Sequence, residues 1–347
     1  VNSPDPSLHI ETLTLRNFTC FKHEKLSFVP GVNVFVGPNG TGKTHVLKAL
    51  YASQKTNYPG TRPSVFEVLK GLFQIDDLGE LRSKAVDSDQ LTEVFGTYGK
   101  APWRFGILEG MPQPVLPGAN RSPEHRPVFI PTIDMIGHSK GFLESSNLVE
   151  LDFDSTCIDL LSLLGSKNRS TPSGRHEIVK KLSEVVDGEI DQDESKRFYL
   201  SNERGRFPMP MIAEGIRKVA TLKRLVENNW LTPGSALFWD EPELNLNPQI
   251  MDEVAQAILL IARTGVQVFL ASHSYLILKE LEVNKQFEDS LRFFAFDGID
   301  GNTIVRSAED YLGLSPNPIE AQYADIYNRQ ISREIESIQV GAVREGI

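Results

Sequence analysis

Apolar and polar residues alternate over residues 10–15, the pattern of a strand with one buried face. Residues 26–28 offer it a partner. Val32-Asn33-Val34-Phe35-Val36 is almost continuously apolar and β-branched or aromatic, which suits a central strand. A glycine-rich turn follows, and apolar positions then take helical spacing over residues 45–51. Between residues 52 and 127 prolines and glycines break the pattern, as in Tyr58-Pro59-Gly60 and Met111-Pro112-Gln113-Pro114. That stretch reads as an insertion on the core, with a helix over residues 65–73 and a hairpin near residues 103–107.

Val128-Phe129-Ile130-Pro131 reads as a second buried strand, ended by proline. Residues 139–193 read as a helical insertion with an apolar stripe through Ile158, Leu161 and Leu164 and an acidic, solvated turn over residues 187–194. Phe198-Tyr199-Leu200 can pair with the residues near Phe207 across Asn202-Glu203-Arg204-Gly205. The last third is the most regular. Ile212, Ile216, Val219, Ala220 and Val226 share a helical face, and so do Ile250, Val254, Ile258 and Ile261. Short strands at residues 236–239 and 266–270 alternate with these helices. That order implies a parallel sheet with crossovers. Residues 293–296 and 303–305 flank Asp300-Gly301 as an edge hairpin, and residues 318–339 form a helical tail. The whole of residues 1–347 reads as one domain, with the tail running to the C-terminus.

Composition narrows the class. The chain has 347 residues, 36 basic and 46 acidic, for a formal net charge of −10. Hydrophobic residues make up 40%, enough for a sizeable core and against wholesale disorder. No apolar run approaches the ~18 residues of a membrane span, and the first seven residues lack the basic and apolar regions of a secretory signal. A cytoplasmic protein without a membrane partner is expected. Cys20 and Cys157 have no second cysteine or histidine at metal-ligand spacing, so both are expected as reduced thiols. An acidic chain does not coat nucleic acid by net charge; only a local basic patch could hold it.

Gly37-Pro38-Asn39-Gly40-Thr41-Gly42-Lys43-Thr44 fits G-x-x-x-x-G-K-[ST] without mismatch, between an expected strand and an expected helix. The chemistry requires these residue types. A polyphosphate must be wrapped closely by backbone N–H groups, and glycine permits that approach. Lys43 would reach the β- and γ-phosphates, and Thr44 would offer its hydroxyl to Mg²⁺. The positive end of the next helix would face the phosphates.

Ala236-Leu237-Phe238-Trp239-Asp240-Glu241-Pro242 is an apolar strand ending in two acids. At the carboxyl edge of a nucleotide-binding sheet, Asp240 would hold Mg²⁺ and Glu241 would polarise the attacking water. The plainer reading is a strand-end turn with solvated acids. His273, in Ala271-Ser272-His273-Ser274, could reach a γ-phosphate from the neighbouring strand end, or could be a loop histidine with a structural hydrogen bond.

These features in this order resemble the ABC-type ATPases of the SMC, RecF, Rad50 and OLD group. The likeness is to compact bacterial members with Leu15-Arg16-Asn17-Phe18 near the start and an Asp-Glu-Pro-Glu acid motif, here Asp240 to Glu243. The resemblance implies an α/β fold: a P-loop NTPase of ABC-ATPase type, its mixed central sheet flanked by helices, with an antiparallel β subdomain and helical insertions. It also implies ATP and Mg²⁺ as cofactors. The family's Leu-Ser-x-Gly signature corresponds to Ile212-Ala213-Glu214-Gly215. Gly215 keeps the position whose N–H meets the γ-phosphate of a second subunit, while Ala213 lacks the serine hydroxyl. Arg217 and Lys218 either compensate or are surface charges. Leu244-Asn245-Leu246-Asn247-Pro248 resembles the loop along the dimer seam. Asp134, or failing it Gln74, stands for the lid residue that senses Mg²⁺. Residues 16–21 would lie near the base, with Phe21 either stacked on it or buried as core.

The resemblance implies a slow ATPase that closes as a homodimer, or a higher even oligomer, with two ATP molecules sandwiched head to tail. As a nucleotide switch it would control a separate effector such as a nuclease or toxin, or a DNA-associated process, in antiviral defence or DNA repair. A transporter motor and an ATP-binding scaffold with little hydrolysis are the rival uses. The cluster Arg217, Lys218, Lys223, Arg224 is the best basic patch for DNA, although such a helical stripe is more often a solvated face.

Overall fold

The computed structural model describes residues 9–57, 64–84, 90–116, 126–140, 142, 153–166, 176–299, 301–315 and 317–345. Tyr58-Pro59-Gly60 and Asp300 lie outside the described residues. A six-stranded sheet organises the chain. Its strands are β3 (Val32–Val36), β7 (Val128–Ile130), β11 (Ala236–Asp240), β12 (Gln267–Ser272), β13 (Leu291–Ile299) and β14 (Asn302–Ala308), in the order β14-β13-β3-β12-β11-β7. All are parallel except the edge strand β14, which pairs with β13 as the expected hairpin.

The alternation of side chains along these strands builds two cores. On one face Val34, Trp239 and Leu270 pack toward the helices α5 (Glu214–Glu227) and α6 (Met251–Arg263). On the other, Phe35, Phe129, Phe238, Phe269 and Phe294 form an aromatic layer, with Phe238 and Phe269 stacked at 5.1 Å. Each fully buried phenylalanine stabilises the fold by roughly 1.5–3 kcal/mol. Helix α1 (Lys43–Asn57) lies on the same side, its Tyr51 ring against Phe129 and Phe238.

An antiparallel sheet of β1 (Ile10–Phe18), β2 (Phe21–Ser27), β4 (Thr92–Tyr98), β5 (Ala101–Leu108) and β6 (Met111–Leu116) covers the aromatic layer, in the order β2-β1-β4-β5-β6. Residues 92–116 therefore complete the sheet begun by the N-terminal strands. Buried Gln267 joins the two sheets: it accepts from Ile10 N at 2.8 Å and donates to Ile10 O and Val29 O at 2.9 Å. Helix α2 (Val65–Phe73) follows the expected range and opens with a Ser64–Glu67 capping box.

Between β7 and α5 come α3 (Ser155–Leu164), α4 (His176–Val186) and the small sheet of β8 (Glu189–Gln192), β9 (Phe198–Asn202) and β10 (Gly205–Pro208). Two readings of this stretch are corrected. Ile158 is 38% exposed, and the buried stripe of α3 runs through Leu160, Leu161, Leu163 and Leu164 instead. Residues 189–192, read as a solvated turn, form β8, because Ile190 is buried and the strand pairs with Phe198–Ser201. The tail is helix α7 (Tyr275–Asn284), the hairpin β13–β14, and then α8 (Pro318–Glu345).

Candidate functional site

The carboxyl ends of β3, β12 and β11 lie side by side, with β12 between the other two. Residues 37–44 leave the first, His273 the second, and the acid pair the third. The loop after β3 curls over its own lysine: Lys43 Nζ donates to Gly37 O at 2.7 Å and Pro38 O at 2.8 Å. Gly42 has φ +85°, and a Cβ there would overlap Cys20 Sγ and the Phe21 ring. The β1–β2 turn is thus seated on the loop. Phe21 itself is fully buried, edge-on to Phe296 at 6.2 Å, so it belongs to the core.

Thr44 Oγ1 donates to Asp240 Oδ2 at 2.8 Å. Two hard oxygen donors at that separation suit Mg²⁺, which takes one or two protein ligands and completes its shell with phosphate and water. Among the described residues no group of three or more His, Cys, Asp or Glu could hold a metal alone. A cation held by Thr44 and Asp240 would complete its shell with oxygens from outside the protein. Asp240 is 7% exposed, and burial pushes its carboxyl up to about 6, against the pull of the Thr44 hydroxyl. Burial also lowers Lys43, while Asp240, Glu241 and Glu243 draw it back up.

Glu241 N bonds Ala271 O at 2.9 Å, which carries the sheet one residue past Asp240. Glu241 then turns into the left-handed region at φ +48°. Its Oε1 lies 3.3 Å from His273 Nδ1. His273 is held from behind by Glu243, whose Oε1 accepts from His273 N at 3.0 Å and from Ser272 Oγ at 2.9 Å. Glu241 is close enough to Lys43 of the phosphate loop to act on its charge, and with the imidazole beside it the carboxylate could orient a water and accept its proton.

The signature segment opens α5. Ala213 is its N-cap and makes no side-chain cap bond. The serine hydroxyl would have occupied that place, so the first-turn N–H groups are left without a side-chain acceptor. Gly215 is buried beneath residues 245 and 246; a Cβ would stand 2.7 Å from Asn245 O and 3.3 Å from Leu246 Cα. Glycine is thus required by close packing within one copy as well as by any role across a seam. Asn247 caps the turn Pro248–Ile250 by accepting from Gln249 N at 3.0 Å.

Three expectations change. Asp134 pairs with Arg217 Nε at 2.5 Å, and its charged neighbours are Arg217, His138 and Glu214. The carboxylate is engaged there and is not brought to Thr44. Gln74 caps α2 in the left-handed conformation, next to a segment stitched to α1 by Lys48 Nζ to Leu72 O (2.7 Å) and the His45–Phe73 ring contact. The basic patch is neither a solvated face nor a nucleic-acid stripe. Lys218 and Lys223 are 3% and 0% exposed, and Arg217 turns inward onto Asp134 and Ile212 O. Their charges are spent on carbonyls and acids inside the molecule.

Two families of sequence match this chain. A family described as "AAA domain, putative AbiEii toxin, Type IV TA system" matches residues 131–279, and one described as "AAA ATPase domain" matches residues 9–91. Among curated proteins, the DNA replication and repair protein RecF of Listeria welshimeri is 46% identical over 43 residues, 12% of each chain. Structural maintenance of chromosomes protein 6 of Dictyostelium discoideum is 48% identical over 50 residues, 14% of this chain and 4% of that one. The matched segment thus spans about an eighth of RecF. Among solved structures, an Smc head bound to the C-winged helix domain of ScpA superposes with a TM-score of 0.56 at 12% identity, covering 87% of this chain and 98% of that one. An Smc head from Pyrococcus furiosus with an extended coiled coil, bound to the C-terminal domain of ScpA, gives 0.55 at 12%, covering 93% and 99%. The chain shares the fold of these SMC head domains.

Two residues near the candidate site were given no firm role by sequence reasoning. Glu243 stood in the quoted acid motif without a role; its spacing of two from Glu241 was the available signal. Lys218 was read as compensating for the missing serine or as surface charge, and only its neighbours Val219 and Ala220 hinted at an inward face.

Proposed function

We propose that the chain binds ATP with Mg²⁺ at residues 37–44 and hydrolyses it slowly, as a switch that closes two copies head to tail. The observation that carries this is the Thr44–Asp240 contact of 2.8 Å, with the Glu241–His273 pair at 3.3 Å beside the same loop. Lys43 would leave its loop carbonyls for the β- and γ-phosphates, a better acceptor for its charge. Thr44 and Asp240 would hold Mg²⁺, which supplies positive charge at the phosphate oxygens. Glu241 would take the proton of the attacking water, and His273 would orient the water or the γ-phosphate. Gly215 of a second copy would meet the γ-phosphate with the uncapped turn of its helix.

The downstream use follows from the likenesses. A matching family is described by a toxin, and RecF is a replication and repair protein. Both favour control of a separate effector, such as a nuclease or toxin, or of a DNA-associated process. Among the described residues no helix is long and apolar enough to cross a membrane.

The test is Glu241→Gln with Mg²⁺ and ATP. Turnover should fall at least ~100-fold, in the range of losing a general base. The variant should accumulate as dimers in light scattering, and Lys43→Ala should abolish both ATP binding and dimers. Parental turnover in Glu241→Gln, or ATP-loaded protein that stays monomeric, would reject the reading.

A further inference from the structure

We propose that Lys218 is the positioning residue that holds Glu241 in its working conformation and ties it to the signature helix. The inference rests on the reading of Glu241 as the general base.

Lys218 lies on α5, three residues after Gly215, and is 3% exposed. Its Nζ donates to Glu241 O at 3.0 Å. Leu244 N donates to the same oxygen at 3.2 Å, so both lone pairs of that carbonyl are used. A buried ammonium is retained only where acceptors and acids offset its lost water. Here the acids are Glu243, Glu214, Glu241 and Asp134, in that order of effect.

The bond is made at a demanding place. Glu241 carries φ +48°, a region that a non-glycine residue keeps only when its surroundings hold it there. Its N–H is fixed by Ala271 O and its C=O by Lys218 and Leu244. The peptide after Glu241 therefore cannot rotate without breaking a buried ion's hydrogen bond. The same helix touches the segment again at Gly215, packed under Asn245 O and Leu246. Residues 241–246 are thus gripped by α5 at two points. A second copy pressing on the start of α5 would move Lys218, and with it the backbone that sets the Glu241 carboxylate beside His273. Docking in one copy's signature segment would then tune hydrolysis in that copy's own site.

The test uses the full chain with Lys218→Met, which keeps length and apolar packing. KM for ATP and ATP binding should stay within about twofold, while kcat falls roughly 10- to 100-fold, the scale of a small misplacement of a catalytic group. Hydrogen exchange at residues 241–246 should speed up selectively. In the Glu241→Gln background Lys218→Met should add no further loss to residual single-turnover hydrolysis, because the two act as one unit. If Lys218→Met lowers the melting temperature strongly, Lys218→Gln, which restores a donor, is read in the same assays. Parental kcat, a rise in KM without a fall in kcat, or losses that multiply in the double variant would each overturn the proposal. Parental turnover in Glu241→Gln alone would instead overturn the general-base reading beneath it.

Discussion

At the scale of one residue, Asp240 shows what the site costs. Loss of water raises its carboxyl to about 6; Glu241 adds to the rise, and Thr44 with Lys48 and Lys43 opposes it. A carboxyl whose folded pKa exceeds its unfolded value binds protons better in the folded protein. Its protonation stabilises the fold as pH falls from about 6 toward 4, and at pH 7 the folded protein carries the buried charge at a cost. Free of metal and nucleotide, Asp240→Asn should therefore be more stable than the parent at pH 7, by at most about 3 kcal/mol for a shift of this size. The advantage should vanish near pH 4, where the parent is already protonated. Melting curves from pH 4 to 8 check this; an advantage that does not change with pH would contradict it. Lys43, Thr44 and Asp240 were legible because phosphate and metal chemistry fix both residue type and spacing. Lys218 was not, because a lysine that feeds a backbone carbonyl has no sequence spacing to obey. Asp134 was misread for the converse reason: position after a strand says nothing about which cation gets there first, and Arg217 does.

At the scale of an element, helix α5 carries the most information. Its buried face through Val219, Ala220 and Val226 was visible as helical periodicity. Its N-terminus was visible as a departure, Ala213 where the family signature has a serine hydroxyl. The structure gives that departure a local consequence, an uncapped first turn above Gly215. Ala213→Ser should therefore act twice. A new cap bond should stabilise the protein by roughly 1 kcal/mol without nucleotide, read as a higher melting temperature. If the same turn meets a second copy's phosphate, the hydroxyl should also strengthen ATP-driven dimers. A gain in melting temperature with unchanged dimerisation would place the hydroxyl at the cap alone. Short elements were harder to read. β8 hid in acidic text because only Ile190 faces inward, and a strand of four residues with one buried position has almost no periodic signal.

At the scale of the whole molecule, the parallel sheet was legible from strand–helix alternation, but the partnership of the β1–β2 hairpin with residues 92–116 was not. Those strands are separated by more than sixty residues, and nothing local specifies which edge they join. What joins them is the apolar underside that covers the phenylalanine layer, together with Gln267 pinning β1 to the central sheet. That cover also seats the Cys20–Phe21 turn on the phosphate loop, so the subdomain supports the loop from outside the central sheet. Every group proposed for phosphate, metal and water follows the carboxyl end of β3, β11 or β12 within one copy. Gly215, by contrast, is packed under its own Asn245 and Leu246; in the proposed head-to-tail dimer a second chain would bring the γ-phosphate to the start of its helix. Turnover should then be second order at low protein. Specific activity should rise with concentration and level off when dimers saturate, and the plateau should come at lower concentration for Ala213→Ser if its hydroxyl reaches across the seam. Activity per chain that stays constant over a hundredfold dilution, well below the dimer's dissociation constant, would mean that one copy completes its own site.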